Sequence, residues 1–233
     1  QKSDASAQKS NNSSAKSELP SNNANLDTPR VFIPIFPGTN CEYETEHVFV
    51  DAGADVHTAL FRNYSEEAIA ESISAFVTEL NAANILMIPG GFSAGDEPDG
   101  SAKYIVSVLK NPEVKEAVHG LIARGGLVLG ICNGFQALVK SGLLPYGEIR
   151  DLDETSATMT FNSIGRHISQ TAHVEVMNDK SPWLAGMKGK KYIVPFSHGE
   201  GRFYAPDDMV RELAANGQIA TQYIDFDGNL ALD

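Results

Sequence analysis

Gly130-Ile131-Cys132-Asn133-Gly134 follows the apolar run Leu127-Val128-Leu129 and precedes the helical pattern Phe135-Gln136-Ala137-Leu138-Val139. A reactive residue between two glycines, at a switch from strand to helix, is the signature of a nucleophile elbow, here in G-x-C-x-G form. The strand must turn so sharply into the helix that the middle residue is held strained and exposed at the top of a sheet. The turn needs glycines two residues to either side, because a Cβ there would meet neighbouring backbone. A thiol at a helix N-terminus also faces the positive end of the macrodipole, which favours the thiolate. An elbow of this kind demands a strand inside a sheet and a helix packed on it, so it constrains the whole chain.

The rest of the sequence supplies such a frame. From Arg30 onward strand and helix signals alternate: strand 31–36, helix 42–52 with Asn40 as cap, strand 54–60, helix 65–80 capped by Ser65, strand 84–88. Helices at 102–110 and 113–124 are split at Asn111-Pro112, and 127–131 reads as the central strand before helix 133–140. Alternation of this kind predicts an α/β fold, a doubly wound, mostly parallel flavodoxin-like sheet with helices on both faces. Beyond Pro145 the period becomes two, over 157–161, 173–177, 192–196, 202–205 and 219–224, which predicts a mixed or antiparallel edge, with 178–191 a loop.

Residues 1–29 are rich in Ser, Asn, Ala, Gln and Lys, with Leu19 and Leu26 as their large apolar residues. Such a segment cannot bury enough surface to offset its ordering entropy and is expected to be a disordered linker from an upstream domain. Its charges cancel, so the net charge of −12 belongs to residues 30–233. That domain is expected to be cut short at its C-terminus, because Asp233 closely follows the turn-like Asp227-Gly228-Asn229. An acidic domain is repelled by nucleic acid and by anionic membrane surfaces, so neither is expected as a partner. No apolar run approaches the roughly 18 residues of a membrane helix. Two cysteines, Cys41 and Cys132, make no disulfide framework, and a thiol nucleophile suits a reducing cytoplasm.

A thiol nucleophile needs a base and donors for the oxyanion. In open α/β sheets ligands bind beyond the carboxyl ends of the strands. Pro37-Gly38-Thr39-Asn40, Pro89-Gly90-Gly91-Phe92 and the Cys132 elbow all fall at such ends. The backbone N–H of Asn133 can point at an oxyanion, and Gly91 is the natural second donor because it lacks a Cβ. Pro195-Phe196-Ser197-His198-Gly199-Glu200-Gly201 offers His198 as base and, two residues on and thus on the same strand face, Glu200 to orient it. Cys41 follows a glycine turn with no base evident near it and is expected to be structural. Asp96, Glu97 and Asp99 could suggest a metal, but His and Cys at transition-metal spacing are absent, so no metal is expected. They are read as a polar loop at the mouth of the pocket.

Taken together, Pro89-Gly90-Gly91-Phe92-Ser93, Gly130-Ile131-Cys132-Asn133-Gly134-Phe135-Gln136 and Ser197-His198-Gly199-Glu200-Gly201-Arg202 resemble the three signatures of class I (triad) glutamine amidotransferases. Phe36-Pro37-Gly38-Thr39-Asn40-Cys41, and Gly91-Phe92-Ser93 followed by Gly95-Asp96, resemble more narrowly the glutaminase part of phosphoribosylformylglycinamidine synthase, over residues 30–233. The resemblance implies that Cys132 attacks the amide of L-glutamine while His198 shuttles protons and Glu200 orients it. It implies Gly90, Phe92, Ser93 and Gln136 as substrate-binding residues. It also implies a partner, a synthetase domain upstream in the same polypeptide, which uses ATP and Mg2+ to convert formylglycinamide ribonucleotide to its amidine in purine biosynthesis. No cofactor is implied in this domain itself, and G-x-x-x-x-G-K-[ST] does not occur in it. The alternatives are a glutaminase serving another synthetase, such as those making GMP or CTP, a cysteine hydrolase or peptidase on the same fold, and a non-enzymatic interaction module.

Overall fold

The computed structural model describes residues 28–96 and 101–231. The segment expected as a linker lies, through residue 27, outside the described residues, and so do Glu97, Pro98, Asp99 and Gly100. Strands β1 (Arg30–Ile35), β2 (Asp55–Leu60), β3 (Ile85–Ile88) and β4 (Leu127–Gly130) form a four-stranded sheet in the order β2-β1-β3-β4. Every pairing in it is parallel. The sequence reading placed residues 127–131 at the centre, but β4 is an edge of this sheet. An apolar run reports burial and says nothing of strand order. Trp183 on the 178–191 connection donates from Nε1 to Val128 O at 3.2 Å.

Both faces of the sheet are covered, and the side-chain period of two decides which residue goes where. Val31, Ile33 and Met87 turn to one side and meet Phe49 of α1 (Glu42–Asp51). Phe32, Leu86 and Ile88 turn to the other, against α2 (Glu66–Ala82), α4 (Pro112–Ala123) and the flanking α3 (Lys103–Leu109). Phe76 of α2 packs edge-on against Phe32 at 5.3 Å and Phe36 at 5.6 Å between ring centroids, a favoured aromatic geometry.

The helices begin where short polar side chains replace missing backbone acceptors. Ser65 Oγ accepts from Ala68 N, and Asn111 Oδ1 accepts from Glu113 N and Val114 N with Pro112 in the first turn. The expected cap of α1 does not form. Cys41, not Asn40, holds the cap position, in a left-handed conformation with no side-chain bond, and the Asn40 N–H donates to Gly90 O.

The antiparallel strands form separate small sheets. β5 (Thr158–Thr160) pairs with β8 (Arg202–Tyr204), and β6 (Ile168–Val176) lies between β7 (Lys191–His198) and β9 (Thr221–Ile224). The remaining helices are α5 (Asn133–Lys140), the short α6 (Leu143–Tyr146) and α7 (Asp207–Ala215). Helix α7 escapes the sequence reading, although Asp207 and Asp208 directly after Pro206 give it a helix-start signal.

Candidate active site

β4 runs out at Gly130, opposite Ile88, and the chain reverses through Ile131 and Cys132 into α5. Cys132 has φ 52 and ψ −110, a conformation costly for a residue with a side chain, and it is exposed. Gly134 N donates back to Ile131 O at 2.9 Å and Gln136 N to Cys132 O at 3.0 Å, which closes the turn. A Cβ on Gly134 would lie 2.0 Å from Ile88 O, and one on Gly130 2.7 Å from the Gly134 carbonyl. The two glycines let α5 press its first turn against the ends of β3 and β4. Asn133, first residue of that helix, has no intrahelical acceptor for its N–H.

The loop after β3 sits beside the thiol, for a Cβ on Gly90 would be 3.3 Å from Cys132 Cβ and 3.9 Å from Sγ. Gly91 has φ 133, open to glycine alone. The turn after β1 braces this loop: Phe92 N donates to Gly38 O, Asn40 N to Gly90 O and Ala94 N to Pro37 O. This bracing is the structural work of the Phe36–Cys41 motif. Phe92 is 61% exposed, whereas Ser93 is buried.

Beneath the loop lies a buried polar network centred on Asp96. Its carboxylate accepts from Ser93 Oγ at 3.1 Å, from Ala102 N at 2.9 Å and from Asn133 Nδ2 at 2.7 Å. Asn133 Oδ1 accepts from Ser93 N at 3.3 Å, which ties the Gly91 loop directly to the residue after Cys132. Asp96 does not line a pocket mouth; it is 4% exposed, and burial pushes its carboxyl above the ordinary range. Gln136 is spent internally: Asn133 Nδ2 donates to its Oε1 at 3.1 Å, and its Nε2 donates to Glu200 O at 2.6 Å. The polar atoms of Ser93 and Gln136 thus bind the protein itself, where the sequence reading placed substrate.

The Gln136 bond draws the turn after β7 onto α5, bringing the segment from His198 to Glu200 against the elbow helix. The expected His198–Glu200 contact is not made. Glu200 accepts from Lys140 Nζ on Oε1 and from Ser101 N on Oε2 at 2.9 Å. Two residues of extended strand would share a face, but β7 ends at His198 and Glu200 lies on a turn, so the period of two does not carry through. His198 Nδ1 lies instead 2.9 Å from Asn162 Oδ1. The ring stacks on Phe196 at 5.0 Å and packs against Gly201, where a Cβ would come 2.2 Å from Nδ1. Partial burial and the charge of His167 lower the His198 pKa, which keeps the imidazole neutral and able to accept a proton. Among the described residues no hydrogen bond joins Cys132 to His198. No group of three or more His, Cys, Asp and Glu able to hold a metal occurs among them. Asn162 and Lys140 drew no attention in the sequence, because each reaches the site from about 36 and 60 residues away along the chain.

His198, Asn162, Gly201 and Arg202 form one wall of a cavity of about 570 Å³ that extends over β6 and β9 to Phe226. Cys132 thus sits at positive φ between a parallel strand and a helix, the backbone geometry of a nucleophile elbow on an α/β fold. The comparisons narrow that class. A family model for the CobB/CobQ-like glutamine amidotransferase domain matches residues 28–233. The PurQ subunit of phosphoribosylformylglycinamidine synthase from Sulfurimonas denitrificans is 33% identical over 86% of this chain and 77% of its own length. The PurQ subunit from Symbiobacterium thermophilum is 34% identical over 85% and 73% respectively. The solved structure of PurLQS from Thermotoga maritima, 23% identical, superposes with a TM-score of 0.59 over 87% of this chain and 77% of that one, which supports the fold. The chain belongs to the CobB/CobQ-like glutamine amidotransferase family, as a glutamine amidotransferase domain of phosphoribosylformylglycinamidine synthase.

Proposed function

We propose that this domain hydrolyses L-glutamine through a thioester on Cys132 and delivers the ammonia to a phosphoribosylformylglycinamidine synthase, for ATP-dependent amidine formation in purine biosynthesis. The observation that carries the reading is the elbow: an exposed thiol at φ 52, locked by Gly130 and Gly134 against β3. The Cys132 thiolate attacks the side-chain amide carbon of glutamine. The tetrahedral oxyanion is met by the N–H groups of Gly91 and Asn133, which the Ser93–Asn133–Asp96 network holds on adjoining segments. His198 takes the Cys132 thiol proton and carries it to the departing ammonia, then takes one from the water that cleaves the thioester and returns it to the sulfur as glutamate leaves. Glu200 acts on this site through Lys140 and the α5 contact.

The synthetase is a domain of the same polypeptide preceding residue 30, and ATP and Mg2+ belong to that part, so no step here passes through them. The setting is the cytoplasm. In support, among the described residues no helix is long and apolar enough to cross a membrane, and a free thiol works in a reducing compartment. The test is glutamine hydrolysis and ammonia-dependent amidine synthesis, each measured with the synthetase present. Cys132→Ala abolishes the first and spares the second, and Cys41→Ala changes neither. Glutamine hydrolysis that survives Cys132→Ala but is lost in Cys41→Ala overturns the assignment.

A further inference from the structure

We propose that Arg202 binds the α-carboxylate of L-glutamine and thereby makes the site select an amino acid over a simple amide. The inference rests on the reading of Cys132 and His198 given above and adds a residue for the far end of the substrate. Glutamine carries its reacting amide at one end of a short chain and a carboxylate and an ammonium at the other. A carboxylate leaves water at a high cost unless a cation receives it. A domain with a net charge of −12 also surrounds it with a repulsive field. A cation standing within the site offsets both, and the planar fork of a guanidinium matches a carboxylate through two parallel bonds.

Arg202 fits this part by position and by availability. It opens β8 directly after Gly201, and Gly201 lies so close to the His198 ring that a Cβ there would come 2.2–2.3 Å from three ring atoms. Arg202 and His198 line the same cavity of about 570 Å³, a size ordinary for a small-molecule site. Among the described residues Arg202 is the one lysine or arginine that lines it. Its side chain makes no hydrogen bond and no ion pair among the described residues. Lys140, the cation on the elbow helix, is by contrast committed to Glu200 and Ser101. Asp225, a carboxylate lining the same cavity, does not compete for Arg202, since its oxygens accept from Asp227 N, Asn229 N and Asn229 Nδ2 within its own turn. The guanidinium is therefore an uncommitted charge beside the base, left for an anion that enters with its amide toward Cys132. Arg202 meets the substrate away from the reacting atoms, so it sets binding and selectivity and moves no proton.

The test compares wild type with Arg202→Met, in the presence of the synthetase, by glutamine kinetics and by alkylation of Cys132 followed by mass spectrometry. Two alkylating probes are used: the diazoketone analogue of L-glutamine, which keeps the α-carboxylate, and iodoacetamide, which has none. Arg202→Met raises KM for glutamine on the order of 10-fold, the usual contribution of a hydrogen bond to a charged group. Because the carboxylate is held alike before and during reaction, kcat stays within about twofold. Alkylation by subsaturating diazoketone slows by the same factor as KM rises, and alkylation by iodoacetamide keeps its wild-type rate. An unchanged KM overturns the proposal. So does a fall in the iodoacetamide rate to match the diazoketone one, which would mean that Arg202 supports the thiol and not the carboxylate. Failure of the diazoketone to label Cys132 in the wild type would instead overturn the underlying assignment of the nucleophile.

Discussion

Replacing Gly134 with alanine tests whether the geometry of the elbow sets the reactivity of the thiol. A Cβ at this position would lie 2.0 Å from Ile88 O, 2.7 Å from Ile88 C and 3.0 Å from Ile88 Cβ. The first contact is about 1 Å inside the 3.0 Å that real Cβ atoms respect. Ile88 O cannot yield, since it belongs to β3 and accepts from Ile131 N at 3.1 Å. The first turn of α5 must therefore lift by about 1 Å, and it carries Cys132 and the Asn133 N–H with it. Overpacking of this kind costs about 1–3 kcal/mol. For a domain of this size that lowers Tm by roughly 3–10 °C. A 1 Å misplacement of a reacting group costs on the order of 10²-fold in rate. The assay is thermal melting followed by kcat/KM for glutamine hydrolysis well below the variant's Tm. Gly120→Ala is the matched control: within α4 its new Cβ meets only the end of the Arg124 side chain at 3.3 Å, so the same chemical change should stabilise by roughly 0.5–1 kcal/mol. A Gly134→Ala protein that melts and turns over like wild type would show that α5 rides freely on the sheet and that the elbow does not set the reactivity of the thiol.

Asp96→Asn places an amide NH2 where the buried carboxylate accepts from Asn133 Nδ2 or from Ser93 Oγ and Ala102 N, so at least one buried donor loses its partner. The expected cost is about 1–3 kcal/mol in denaturant unfolding, together with a fall in kcat; an unchanged midpoint would mean that the network carries little. Lys140→Met strips Glu200 of its cation, with the Glu200 carboxylate 10% exposed. Breaking such a pair is expected to destabilise by about 2–4 kcal/mol, and a thermal melt matching wild type would refute that. His198 has its pKa lowered by burial first and by His167 second, so the unfolded chain binds the proton more readily than the folded one. Its contribution to stability is therefore present above the ordinary imidazole range and is lost as pH falls through it. His167→Gln removes the second cause and should move the acid limb of kcat/KM upward, toward the ordinary value; a downward movement would mean that His167 stabilises the protonated ring.

The sequence by itself determined the elements and the elbow. Val31, Phe32 and Ile33 are buried on both faces of the sheet, and their unbroken apolar run announces a parallel strand. Ser65 and Asn111 mark helix starts because a cap is a bond between neighbours in the chain. Gly130, Cys132 and Gly134 are legible for the same reason, since the collision they avoid lies between a strand end and the helix that directly follows it. What only the tertiary structure decided is long-range. The order β2-β1-β3-β4 puts the elbow strand at an edge, and no local pattern encodes a neighbour. Asp96 is a buried brace and not a surface carboxylate, because Asn133, 37 residues on, turns its side chain toward it. His198 and Glu200, adjacent in the sequence motif, part company where β7 gives way to a turn, and each takes a partner from a distant segment, Asn162 and Lys140. Hydrogen-bond partners of side chains are chosen by packing, and packing brings together residues that the sequence keeps apart.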